Sequence, residues 1–158
     1  MKKHKKVFLM TSSNADYAKF ILGHIFAGHG DYWQFFDLCI GDARKPYFFN
    51  MESAFYSNKN DYPDVPVKEL QTGRWYSQGN VIDLERYFKR ELRNHRFTVA
   101  YFGDSLKSDI ISADKTAGWK CVYLLEELYR DNTAFSEDDR VLLDCRGMTV
   151  GNLSFSTN

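Results

Sequence analysis

A short apolar run followed at once by a helical pattern constrains this chain more than any other sequence feature. Residues 7–10, Val-Phe-Leu-Met, are wholly apolar and polar residues follow them, so they predict a strand buried on both faces of a sheet. The helix that follows is expected to have Ser13 as its N-cap and to end near Gly28. Its apolar positions recur at helical spacing and are expected to face the core: Tyr17, Phe20, Ile21, His24 and Ile25.

The same order of elements returns later in the chain. Residues 98–102 predict a strand, residues 109–117 a helix that ends at Gly118, and residues 120–125 another strand. A strand, a helix and a strand in succession pair in parallel through a right-handed crossover. The predicted fold class is therefore α/β, with a parallel sheet flanked by helices.

Between these two units the pattern is mixed. Residues 36–40 predict a third strand, and Asn80 is expected to cap an amphipathic helix over residues 81–92. Residues 47–78 form an excursion in which we predict a hairpin, with strands at 67–70 and 74–76 joined by a turn at Thr72-Gly73.

Composition excludes several classes of function. The 158 residues suit one domain, and 21 basic residues balance 21 acidic ones, so no global positive field favours nucleic acid. No run approaches the roughly 20 apolar residues that span a bilayer. The cysteines Cys39, Cys121 and Cys145 are widely spaced without a CxxC pair, which favours a reducing compartment. We therefore predict a cytoplasmic protein that binds neither nucleic acid nor membrane.

Polar side chains follow three of the predicted strands at their carboxyl ends, where open α/β sheets bind ligands. Thr11 and Ser12 precede a helix N-terminus, which favours phosphate, and Lys45 follows the third strand. Asp104 and Asp109 lie about one helical turn apart and suit a hard cation such as Mg²⁺. Taken singly, such residues are more typical of caps and surface charges; at one sheet edge, the combination predicts binding of phosphate and its metal.

Several segments occur in an order and spacing that resemble a known family. Residues 7–13, 42–49 and 101–110 are similar to the second, third and fourth motifs of haloacid dehalogenase-like phosphatases. The resemblance is closer to their cytosolic purine 5′-nucleotidase-like branch, which includes the 5′-nucleotidase domain-containing proteins. Within that branch, further counterparts are the Ala-Arg-Lys-Pro-x-Phe-Phe run and residues 76–80, 118–120 and 125–128.

The resemblance implies roles for the candidate residues. Thr11 and Ser12 would bind the phosphoryl group, with Lys45 neutralising its charge; Thr11, Lys45 and Asp109 would be the catalytic residues. Asp104 would ligate Mg²⁺, and Asp109 would orient that site or Lys45. The implied reaction is hydrolysis of a nucleoside 5′-monophosphate through a phospho-aspartate, with positioning and charge stabilisation supplying most of the catalysis.

The family's first motif, Asp-x-Asp-x-Thr, does not occur in this sequence. The resemblance therefore implies a partial Rossmann-like core over residues 1–130 without the central first strand and the cap, followed by a tail at 131–158. Without the nucleophile we expect the chain to be inactive alone. Exposed strand edges are expected where that strand would lie, and they favour self-association.

Two alternatives compete with this interpretation. The chain is a noncatalytic interaction protein that retains part of a phosphatase scaffold, or residues 103–106 are the Gly-Asp-Ser-Leu motif of a serine esterase with Ser105 as nucleophile. The esterase hypothesis is disfavoured because a catalytic His follows the motif in that family, whereas all four His of this chain precede Ser105.

Overall fold

The computed structural model describes residues 5–57 and 65–124 and divides into two units. Unit 1 ends at Phe97 and unit 2 begins at Thr98. The predicted core of residues 1–130 spans both units, whereas the predicted tail at 131–158, with Cys145, lies outside the described residues. Within the described ranges no helix has the length and apolarity of a membrane span.

A five-stranded mixed sheet forms the centre of unit 1. Its strands in chain order are β1 (Phe8–Met10), β2 (Leu38–Gly41), β3 (Phe55–Ser57), β4 (Val65–Val67) and β5 (Arg74–Gln78). Their spatial order is β1-β2-β5-β3-β4, with β1, β2 and β5 parallel and the remaining pairs antiparallel. All of β2 is buried, as expected for a strand with parallel neighbours on both sides. The predicted α/β class is confirmed.

The predicted hairpin was wrong in its pairing. β4 and β5 flank the Thr72-Gly73 turn in sequence, but both pair with β3, which lies between them in the sheet. β5 also pairs in parallel with β2, so it belongs to the core of the sheet. The turn chemistry was recognised, but a turn does not determine which strand the chain pairs with.

β1 and β2 also differ from the prediction. β1 lies at the edge of the sheet, and of its three residues only Met10 is buried, so burial on both faces was wrong. Val7, predicted as part of the strand, is 47% exposed. β2 begins at Leu38 rather than at residue 36, because Phe36 still bonds to Tyr32 in the preceding 3₁₀ turn (Tyr32–Gln34).

The described part of unit 1 contains three α-helices: α1 (Ala15–Ile25), the single turn α2 (Tyr47–Asn50) and α3 (Val81–Leu92). Asn80 caps α3 as predicted, since its side-chain oxygen accepts a hydrogen bond from the Asp83 amide at 2.9 Å. The prediction of Ser13 as the cap of α1 was wrong. Asn14 has this role and accepts from the Asp16 amide at 2.8 Å, while the Ser13 carbonyl accepts from the Asp42 amide.

The buried face of α1 is not the one that the apolar spacing predicted. The helix buries Ala15, Ala18 and Leu22. The reason is close approach: a Cβ at Gly41 would lie 2.8 Å from the Ala15 Cα, so the first turn of α1 sits directly against β2 and leaves no room there for a large side chain. Of the five side chains that were expected in the core, Ile21 is half-buried and the other four are exposed: Tyr17, Phe20 and Ile25, each by about 60%, and His24.

Unit 2 contains a second parallel pair. β6 (Ala100–Gly103) pairs in parallel with β7 (Lys120–Tyr123), which confirms the predicted strand-helix-strand unit. The connection is helical but starts earlier than predicted, with π-helical segments at Leu106–Ile111 and Ala113–Ala117. Gly118 ends it in the left-handed conformation, at φ 65°, as the sequence indicated.

Gly79 and Gly73, which immediately follow and precede β5, provide a matched test of packing at its two ends. Both have positive φ, 92° and 75°, but a Cβ at Gly79 would lie 2.2 Å from the Phe55 ring, whereas one at Gly73 would meet nothing within 4 Å. We expect Gly73→Ala to lower the free energy of unfolding by about 1 kcal/mol and Gly79→Ala by about 2–4 kcal/mol. Urea denaturation measures both, and equal losses would contradict the packing around Phe55.

Candidate functional site

Thr11 follows β1 and is bonded through its backbone to the segment around the end of β2. Its amide donates to the Ile40 carbonyl at 2.9 Å, and its carbonyl accepts from the Ala43 amide at 3.0 Å. Its hydroxyl oxygen accepts from the Ser13 amide at 3.1 Å, which leaves the hydroxyl proton available for donation. Thr11 is therefore a donor on a rigid backbone at the carboxyl end of the parallel strands.

Ser12 connects this segment to Lys45. The Ser12 hydroxyl oxygen accepts a hydrogen bond from the Lys45 amide at 3.0 Å, across 33 residues of sequence. Lys45 is half-buried, and the peptide bond to Pro46 is cis. The structure thus brings Thr11, Ser12 and Lys45 together in what we call the β1–β2 loop cluster, residues 11–13 and 42–45.

Two residues of the loop cluster have a backbone conformation that L-residues rarely adopt. Asp42 and Arg44 lie at φ 44° and 53°, and such conformations cost about 1–3 kcal/mol each. Their side chains form an ion pair at 3.2 Å, and the Asp42 amide donates to the Ser13 carbonyl at 2.7 Å. The surrounding bonds hold the strained loop, and strain of this kind concentrates at ligand-binding sites.

The two acidic candidates of unit 2 differ in environment. Asp104 is exposed directly after β6, and in the part of unit 2 that the structure describes no side chain bonds to its carboxylate. Asp109 is 2% exposed. Its Oδ1 accepts from the Tyr101 hydroxyl at 3.0 Å and its Oδ2 from the Ser105 amide at 3.2 Å. The Asp104 side chain is therefore exposed to solvent, whereas the Asp109 carboxylate is buried and hydrogen-bonded within the turn.

Tyr101 was missed by the sequence reasoning. The only signal for it is its position on β6, where alternation places residues 101 and 103 inward. Burial and the neighbouring Asp109 carboxylate raise the pKa of the Tyr101 hydroxyl well above its usual range. The hydroxyl stays protonated at neutral pH and can act only as a donor toward Asp109.

One side chain in the described part of unit 2, that of Asp104, has the chemistry of a magnesium ligand. Mg²⁺ keeps several waters and binds proteins through one or two carboxylates, so the exposed Asp104 carboxylate is a suitable ligand. Across residues 5–57 and 65–124 no group of three or more His, Cys, Asp or Glu side chains forms a complete cage. The candidate residues thus lie in two sets, the loop cluster in unit 1 and the Asp104 turn in unit 2.

The two cysteines among the described residues are poor nucleophiles. Burial raises the pKa of the Cys39 thiol to about 12 and that of Cys121 to about 11. Both remain protonated at neutral pH, whereas catalysis by cysteine requires the thiolate. Ser105, the serine of the esterase alternative, caps the helical segment that follows it, since its Oγ accepts from the Ser108 amide at 3.3 Å.

Comparison with known proteins matches most of the chain. A model of the 5′ nucleotidase family matches residues 1–148. Human 5′-nucleotidase domain-containing protein 1 is 35% identical over 136 residues, which cover 84% of this chain and 30% of that protein. Human 5′-nucleotidase domain-containing protein 2 is 31% identical over 130 residues, with 80% and 24% covered. The chain thus spans less than a third of the length of these relatives.

Ser12 and Ser13 allow a matched test of the loop cluster. Ser12→Ala removes the acceptor of the Lys45 amide, so we expect a loss of about 1 kcal/mol in unfolding free energy and faster hydrogen exchange at Lys45. Ser13→Ala is the control, because the Ser13 contacts in the cluster are made by its backbone. Unchanged exchange at Lys45 in Ser12→Ala would show that the two loops are held together by other contacts.

Proposed function

This chain belongs to the 5′ nucleotidase family, and from that premise we propose that it supplies the phosphate-binding and metal-binding part of a nucleoside 5′-monophosphate phosphatase. The observation that carries the proposal is the bond from the Lys45 amide to Ser12, which joins the loops after β1 and β2. That bond brings the Lys45 backbone against the Ser12 hydroxyl, next to Thr11 in sequence, at the carboxyl ends of parallel strands, where α/β proteins bind ligands.

Thr11 and Lys45 have the chemistry that a phosphoryl group requires. The Thr11 hydroxyl can donate to a phosphoryl oxygen while its oxygen still accepts from Ser13. The Lys45 ammonium is proposed to neutralise part of the phosphate charge. The Lys45 backbone is held by its amide hydrogen bond to Ser12 before any ligand binds. Preorganised donors of this kind stabilise the transition state, because they need not reorient as charge develops.

Asp104 is the residue proposed to hold Mg²⁺, which when bound would polarise phosphoryl oxygens as a Lewis acid. Asp109 is proposed to hold the turn that carries Asp104, consistent with its hydrogen bonds to Tyr101 and Ser105. The proposed reaction class follows the haloacid dehalogenase-like phosphatases. We also propose a cytoplasmic location, in keeping with the spacing of the cysteines.

The proposed reaction proceeds through a phospho-aspartate. An aspartate carboxylate attacks phosphorus, the bond from phosphorus to the nucleoside oxygen breaks, the alcohol leaves with a proton, and water then hydrolyses the acyl phosphate. No Asp-x-Asp pair occurs in this sequence, so the nucleophile and the acid are not among its residues. We therefore propose that the chain by itself binds the monophosphate without hydrolysing it.

Titration of the chain with inosine 5′-monophosphate and Mg²⁺ tests this proposal. We expect amide shifts at Thr11, Ser12 and Lys45 and no release of phosphate. Lys45→Ala is expected to weaken binding about tenfold, because a hydrogen bond to a charged group contributes about 1.5–3 kcal/mol. Lys68→Ala is the control, since it removes the same charge from an exposed position of unit 1 outside the loop cluster. Equal weakening in both variants, or magnesium-dependent phosphate release that Asp104→Asn abolishes, would contradict the proposal.

A second candidate function has its own support. β1 lies at the edge of its sheet, and α1, which packs against the same sheet, exposes Tyr17, Phe20 and Ile25 by about 60% each. Edge strands and exposed apolar faces favour association with another chain. We propose as the alternative a noncatalytic interaction protein whose partner is a second copy of itself.

Sedimentation velocity tests the alternative. The chain is expected to self-associate with rising concentration, and Phe20→Gln to shift the distribution toward monomer, because the substitution removes apolar area from the exposed face of α1. Ile82→Gln is the control, since Ile82 is 52% exposed on α3. A chain that stays monomeric at all concentrations, or equal effects of both substitutions, would reject association through α1.

A further inference from the structure

The turn that carries Asp104 is supported by a buried side-chain network. Tyr101 and Asp109 are 6% and 2% exposed, and the Tyr101 hydroxyl donates to Asp109 Oδ1 at 3.0 Å. The other carboxylate oxygen of Asp109 accepts from the Ser105 amide at 3.2 Å. One hydroxyl on β6 is thus linked through one carboxylate to the residue that follows Asp104.

Asp109 also lies against the residue that precedes Asp104. A Cβ added to Gly103 would lie 2.6 Å from the Asp109 Cβ and 3.0 Å from its Oδ2. Gly103 and Ser105, the two neighbours of Asp104, are therefore both in contact with Asp109. The Asp109 carboxyl group therefore packs against Gly103 and is hydrogen-bonded to the Ser105 amide.

The Tyr101 ring has a defined orientation of its own. It meets the buried Trp119 ring edge-on, with centroids 5.6 Å apart and planes at 65°. Packing of this type holds the ring, and the ring in turn directs the hydroxyl at Asp109. The hydroxyl remains a donor at neutral pH because burial and Asp109 keep its pKa high.

We propose that Tyr101 is a positioning residue for the metal ligand Asp104: its hydroxyl fixes the Asp109 carboxylate, which fixes the backbone on both sides of Asp104. The inference rests on the proposed role of Asp104 in metal binding. Tyr101 itself does not contact the metal or the phosphate. Removal of its hydroxyl leaves the Asp109 carboxyl group with one donor fewer and widens the range of directions open to Asp104.

The test uses the full chain and Mn²⁺, an ion that shares the preference of Mg²⁺ for carboxylate and water ligands. Paramagnetic relaxation of the amides at residues 103–105 reports its binding. We expect Tyr101→Phe to weaken Mn²⁺ binding about tenfold, the usual effect of removing a group that orients a metal ligand. Tyr123→Phe is the control, because it makes the same change on β7 of the same unit.

A second pair of variants separates positioning from general loss of stability. Asp109→Asn is expected to weaken Mn²⁺ binding at least as much as Tyr101→Phe, and the double variant to be no weaker than Asp109→Asn alone, because both act through one carboxylate. If the two substitutions instead damaged the structure independently, their losses of Mn²⁺ binding would add in the double variant. The thermal midpoint of each variant is measured in parallel.

The outcomes are distinguishable. If Asp104→Asn abolishes Mn²⁺ binding but Tyr101→Phe leaves it unchanged, or the two losses add in the double variant, the positioning role is wrong and the proposed metal site stands. If the wild-type chain shows no Asp104-dependent effect of Mn²⁺, the proposed metal role fails and the positioning role fails with it. Weakened binding in Tyr101→Phe, with the control unchanged, supports both.

Discussion

Parallel pairing of β1 with β2 is the constraint on which the rest of unit 1 depends. It aligns Met10 with Ile40, so the chain leaves both strands at the same edge of the sheet. The bonds from Thr11 to Ile40 and from Ala43 to Thr11 extend this pairing beyond the strands. The loop cluster is therefore an extension of the sheet, and the same backbone hydrogen bonds that join the strands hold the backbone of Thr11.

Both candidate sets follow one design, in which a neighbouring residue holds the backbone of the residue proposed to bind. Ser12 accepts from the Lys45 amide, and Asp109 accepts from the Ser105 amide and lies against Gly103, on either side of Asp104. In each case the supporting group is a short polar side chain with little conformational freedom. A fixed backbone on each proposed binding residue is the arrangement that ligand binding at a preorganised site requires.

Residues near one another in sequence were predicted best. The Asn80 cap, the Gly118 stop and the parallel strands of unit 2 were recognised because caps, stops and short crossovers depend on local chemistry. The face of α1 and the partner of β5 were wrong, since both depend on residues distant in sequence. Gly41 allows α1 to approach β2 so closely that small side chains face the sheet. β3 occupies the position beside β5 that the hairpin prediction gave to residues 67–70.

The sequence by itself determined the α/β class, the family and the positions of Thr11, Lys45, Asp104 and Asp109 after strands, because motifs and hydrophobic periodicity are local properties. Only the tertiary structure decided what these residues contact. In the folded chain Ser12 accepts a hydrogen bond from the Lys45 amide, Asp109 accepts one from the Tyr101 hydroxyl, and Asp104 is exposed. Burial and hydrogen bonding arise from the packing of several elements together, so one stretch of sequence does not contain them.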